Sequence, residues 1–82
     1  MNDADIHEHI ESLVRREHEL LDRASAEGHG LKKDEREELD RIQVQLDRYF
    51  DLLRQRRARE EFGQDPDDTK MRSAKTVERY LQ

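Results

Sequence analysis

Two stretches of four-and-three apolar spacing, separated by a short glycine-containing gap, constrain this chain more than any other feature of its sequence. In the first, apolar residues recur at Ile6, Ile10, Leu13, Leu20 and Ala24, with Glu17 where the stripe asks for one more and with Val14 and Leu21 widening it. In the second they recur at Leu39, Ile42, Leu46, Tyr49 and Leu53, flanked by Val44, Phe50 and Leu52. This spacing gathers apolar side chains on one side of a helix, whereas a strand changes face at every residue. The gap, Ser25-Ala26-Glu27-Gly28-His29-Gly30, offers two glycines that can adopt the left-handed conformation in which a helix ends and the chain reverses.

End chemistry sets the limits. Asp3 or Asp5 can accept hydrogen bonds from the first free amides of helix 1, and negative charge suits the positive end of the helix dipole. Helix 1 is expected over about residues 4–26. Asp34, Glu35, Glu37 and Glu38 crowd the start of the second stretch, which contains no Gly or Pro before Gly63, so helix 2 is expected over about residues 33–61. At 1.5 Å per residue the two helices are about 33 and about 43 Å long, and a short turn forces them antiparallel. Gly63-Gln64-Asp65-Pro66 then stops helix 2, with Asp65 placed to cap a proline-started helical turn. In the C-terminal segment, residues 63–82, Val77, Tyr80 and Leu81 fall on one face of a short helix over residues 73–82, enough to dock but not to fold alone.

The expected fold is therefore all-α, a single domain over residues 1–82 built on an antiparallel two-helix hairpin. The chain has 82 residues, 45% of them charged and 32% hydrophobic, and no cysteine to supply a disulfide or a thiolate metal site. A domain of this size buries only about 60% of its unfolded surface. The apolar faces are wider than one seam, since Val14, Leu21, Phe50 and Leu52 flank it. Either the C-terminal segment folds back over the hairpin, or two hairpins pair into a dimeric four-helix bundle; the small size of the chain favours the homodimer.

Charge narrows the function classes. A formal net charge of -5 disfavours nonspecific attraction to nucleic acid or anionic membranes, and there is no apolar run of the roughly 20 residues that span a bilayer. The acidic start Met1-Asn2-Asp3-Ala4-Asp5 lacks the basic and apolar regions of a secretory signal, so a cytoplasmic location is expected. The one local contrast is Arg54-Gln55-Arg56-Arg57-Ala58-Arg59. Arg54, Arg56, Arg57 and Arg59 form the candidate surface for an acidic protein partner. The alternative is a nucleic-acid-binding accessory role, since guanidinium forks grip phosphates. The plainer reading is helix stabilisation, with arginines at the negative end of the dipole paired to Asp51, Glu60 and Glu61.

Nothing in the sequence marks an enzyme. The hydroxyls of Ser12, Ser25, Thr69, Ser73 and Thr76 lack a nucleophile-elbow setting, and no phosphate-cradling glycine motif occurs. His7, Glu11 and His18 fall near one helix face, but no HExxH or ExxH spacing accompanies them, so no metal or other cofactor is expected, and a small helical enzyme or metal-binding protein centred on that face is the last alternative. Glu17 calls for a cationic partner across the hairpin, Arg48 or Arg56, and if buried is a candidate for fixing register or oligomeric state. Tyr49 is assigned to the core by its spacing, whereas Phe62 has no assigned place.

Leu46-Asp47-Arg48-Tyr49-Phe50-Asp51-Leu52-Leu53-Arg54-Gln55-Arg56-Arg57-Ala58, the corner Gly63-Gln64-Asp65-Pro66-Asp67 and the ending Val77-Glu78-Arg79-Tyr80-Leu81-Gln82 together resemble a family of small actinobacterial proteins, the domain of unknown function 2630 family. The resemblance covers nearly the whole chain. It departs at the glycine-rich turn and at Lys32-Lys33, where relatives often begin helix 2 with Ser or Thr followed by Pro. It implies a helical, cytosolic protein of actinobacterial origin and transfers no catalytic residue. Helix 2 is also similar to the first helix of chorismate mutases. That enzyme surrounds a dicarboxylate with cations from several long helices, and here helix 1 offers only Arg15, Arg16 and Arg23 while too little helical chain follows Arg57.

Overall fold

The computed structural model describes the backbone of residues 1–28 and 30–81 and the side chains of residues 1–26 and 30–77. Three helices follow one another, α1 (Asp3–Glu27), α2 (Lys33–Glu61) and α3 (Ala74–Leu81), and there is no strand among the described residues. The helical hairpin expected from apolar spacing is present with both long helices within one residue of their expected limits.

Local chemistry explains each boundary. Asn2, rather than Asp3 or Asp5, is the cap of α1. Its backbone is extended, its Oδ1 accepts from the Asp5 amide at 2.9 Å, and Asp5 Oδ2 accepts in return from the Asn2 amide at 3.2 Å. Asp5 serves as the return half of a reciprocal capping box, and Asp3 is left for a tertiary contact. The helix ends where Gly28 takes φ 74° and its amide reaches Ala24 O at 3.2 Å; Gly30 is also left-handed at φ 75°. Any side chain would strain these two positions, so the turn depends on them; His29 lies outside the described residues. Glu35 Oε1 accepts from the Lys32 amide at 3.0 Å and opens α2.

Past α2, Gly63 (φ 69°) turns the chain and the Gln64 amide returns to Arg59 O at 2.7 Å. Asp65 caps as expected, its Oδ1 accepting from the Asp67 amide at 2.9 Å, but the proline-started element is a single turn and not a helix. Its closure by Asp68 N–H to Asp65 O (3.1 Å) and by Thr69 Oγ1 to Pro66 O (2.8 Å) leaves nothing to propagate. α3 begins only after Ser73, whose Oγ accepts from the Thr76 amide at 3.3 Å.

The antiparallel pairing of α1 with α2 is legible in its cross-links. Asp3 meets Arg56, His9 meets Tyr49 and Arg16 meets Glu38, so one index falls as the other rises. Towards the turn, Leu20, Ile42 and Leu46 form the buried core, with Ile10, Leu13, Val14, Leu31 and Leu39 packed against it. Removing this apolar surface from water is the main term favouring the hairpin.

The C-terminal segment folds back along α2. Gln55 Nε2 donates to Lys70 O and Arg48 Nε to Arg72 O, both at 2.9 Å, and the Arg72 guanidinium lies 3.6 Å from Asp51. These anchors occupy the helix face that also carries Leu52, a flank that the sequence left in need of cover and that is buried here. α3 packs on α2, with Val77 fully buried. Tyr80 and Leu81, expected to share the face of Val77, lie outside the described side chains. No helix among the described residues is long and apolar enough to cross a membrane.

Candidate protein interface

The arginine run at the end of α2 divides by helical phase. Arg56 turns inward and is only 6% exposed. Its Nε donates to Asp3 Oδ1 at 2.6 Å, and its Nη1 to Met1 O (3.0 Å), Pro66 O (3.1 Å) and Asp67 Oδ1 (2.9 Å). The hydrogen bonds it donates to Asp3, then to Asp67, hold its pKa above the ordinary guanidinium range against the opposing effect of burial. One side chain thus ties the start of α1, the end of α2 and the proline corner together. A planar fork with several donors suits this task and a lysine does not.

Arg54 and Arg57 point away from this clasp. Both are exposed; Arg54 has Asp51 at 3.8 Å, and Arg57 has no ion-pair partner among the described residues. With Phe50, which is 45% exposed, they recur at i, i+4 and i+7 and so occupy one outer stripe of α2. Arg59 faces another way, 3.4 Å from the exposed carboxylate of Asp68. It lines a shallow hollow of about 210 Å³ with Gln55, Ala58, Phe62, Gln64 and Arg72. Phe62, 78% exposed, stands at the rim of this hollow. The four arginines therefore do not share a surface: three face solvent in two directions and the fourth is structural.

The other polar candidates serve as cross-links between the helices. Glu17 is half-buried and accepts from Gln43 Nε2, so its partner is a neutral amide and neither Arg48 nor Arg56. Arg48 is committed to Arg72 O and Arg56 to the clasp, and Gln43 lies one turn from the core residues Leu39 and Leu46. Arg16 joins Glu38 through two hydrogen bonds, Nε to Oε1 at 2.8 Å and Nη2 to Oε2 at 3.1 Å, and reaches Glu19 at 3.2 Å. The Arg16 hydrogen bonds lower the Glu38 pKa below the usual carboxylate range, and Glu38 foremost raises that of Arg16.

Tyr49 is half-buried, and the His9 ring stacks on it at a centroid distance of 5.2 Å and an angle of 7°. Sequence reasoning missed this pair, although Tyr49 sits in the stripe facing α1 and His9 lies one residue before Ile10. His7, Glu11 and His18 are exposed, and no group of three or more His, Cys, Asp or Glu is gathered for a metal ion among the described residues.

An uncharacterized protein of Mycobacterium bovis, and one from each of two strains of Mycobacterium tuberculosis, are 42% identical to the chain over 73 residues, covering 88% of it and 82% of each relative. No solved structure matches it. Residues 2–82, which include the hairpin, the arginine run and the proline corner, match the family described as Protein of unknown function (DUF2630), and the chain belongs to that family.

Proposed function

We propose that this protein is a non-catalytic helical interaction module of the cytoplasm, which self-associates through its hairpin and offers the arginine end of α2 to an acidic protein partner. The observation that carries this reading is the sorting of the arginine run. A helix that needed these residues only for its own stability would pair them along its length, yet Arg57 is exposed without an ion-pair partner among the described residues and Arg54 has only a distant one. Arg59 stands beside the exposed Phe62, giving a cation next to an apolar surface, a combination suited to acidic segments that carry apolar side chains. The perturbed ionisations of Arg16, Glu38 and Arg56 arise in pairs that tie helices together, which is structural work and not catalytic tuning.

Photo-crosslinking in cells from a probe at position 62 tests this. A discrete adduct with another protein is expected, lost in the R54Q/R57Q/R59Q variant while helicity and thermal unfolding stay within those of the parent. If the only salt-sensitive ligand is DNA or RNA, the arginines form a nucleic-acid surface instead.

A further inference from the structure

The Glu17–Gln43 hydrogen bond marks one side of the hairpin, and helical phase shows what else lies there. On α1, Ile10, Val14 and Leu21 stand seven and three residues before Glu17 and four after it. On α2, Leu39 and Phe50 stand four residues before Gln43 and seven after it. All five share the Glu17–Gln43 side of their helices. Ile10, Val14 and Leu39 pack only their inner edges against the core and are half-buried, and Leu21 and Phe50 are each 45% exposed. The C-terminal segment does not cover this side, because it runs along the α2 face of Arg48, Asp51 and Gln55.

We propose that a second copy of this chain docks on this flank, antiparallel to the first about a twofold axis near Glu17 and Gln43, so that Leu21 of each hairpin meets Phe50 of the other. This rests on the self-association proposed above and specifies its face and orientation. Area supports it. The chain exposes 6095 Å², whereas a compact monomer of its 9.9 kDa mass exposes about 5200 Å². The excess, roughly 900 Å², is close to the 800 Å² or so that one partner buries in a standard interface. Placement sets the direction. Leu21 lies on the turn side of Glu17 and Gln43 and Phe50 on the open side, so an antiparallel twofold sets each apolar side chain towards the other, whereas a parallel one leaves both without an apolar counterpart. Glu17 and Gln43 then come near their counterparts at the centre, where a polar pair satisfied within its own hairpin fixes the register.

The test combines solution mass with cross-linking of the full chain. Sedimentation across a concentration series is expected to give a dimer, weakened at least tenfold by Leu21→Glu and by Phe50→Glu but not by Phe62→Glu, each variant keeping the helicity of the parent. The chain has no cysteine, so single-cysteine variants report orientation directly. An equal mixture of Leu21→Cys and Phe50→Cys proteins should cross-link with a short bismaleimide, and neither alone should. A dimer indifferent to both flank substitutions, or one in which each cysteine variant cross-links to itself, overturns the proposed face or orientation while leaving self-association standing. A monomer at every concentration overturns both.

Discussion

The two ends of the hairpin are held together by different forces. At the turn end, Leu20, Ile42 and Leu46 exclude water and are ringed by further aliphatic side chains. At the open end, where Ile6, Leu52 and Val77 are also buried, a single buried arginine collects two carboxylates and two backbone carbonyls from two separate parts of the chain. Apolar burial is non-directional and tolerates some sliding of one helix on the other. The Arg56 fork accepts only one arrangement, and its partners Asp3 and Asp67 remain largely exposed, so they are rehydrated when it is lost. The turn end therefore depends on apolar packing, and the open end adds to its own buried side chains a fork that fixes the geometry.

Substitution of Leu20 by Ala should have the largest effect. The side chain is fully buried, and such truncations cost about 3 kcal/mol with no dependence on salt; chemical denaturation at two ionic strengths measures both. A loss under 1 kcal/mol would break the comparison by showing that apolar packing is not what holds the turn end.

Arg56→Met, which keeps an apolar stem, should cost about 2 kcal/mol, less than breaking a pair whose remaining charge stays buried. Amide exchange should quicken first at Asp67 and Asp68, whose amides close the proline corner, while Leu46 stays protected. Uniform loss of protection would mean that the two ends unfold as one unit.

The smallest effect belongs to Arg16–Glu38, near the turn end and only half-buried. The Glu38 pKa is lowered in the folded state, so its contribution is fully present above the unfolded glutamate value near ~4.3. That contribution disappears as pH falls through the lower folded value. Melting of Glu38→Gln should lie slightly below that of the parent at neutral pH and converge with it in acid, most clearly at low salt. Convergence already at pH 6 would contradict the lowered pKa.

Apolar phase made the hairpin legible, because a period of three and four admits one kind of element and its breaks admit one kind of turn. Ile6, Leu20, Ile42 and Leu46 were readable as core on that ground. Leu52 was readable as a flank in need of cover, but the choice of cover was not, because residues 70–77 carry little periodicity of their own and are fixed by side chains reaching backbone carbonyls. The Arg56 partners were unreadable for a similar reason. Asp3 and Asp67 lie 53 and 11 residues away, and no local spacing records such a meeting.

Sequence by itself determined the number of long helices, their limits and their antiparallel course, because hydrophobic period, helix-stopping glycines and acidic first turns act within a few residues of where they stand. Tertiary structure alone decided which arginine is structural and which face solvent, that Glu17 pairs with an amide, and that the C-terminal segment shields α2 on the side of Leu52. Each of these depends on helical phase combined with contacts between distant segments, and a side chain's fate among several possible partners is set only when the chain has closed around it.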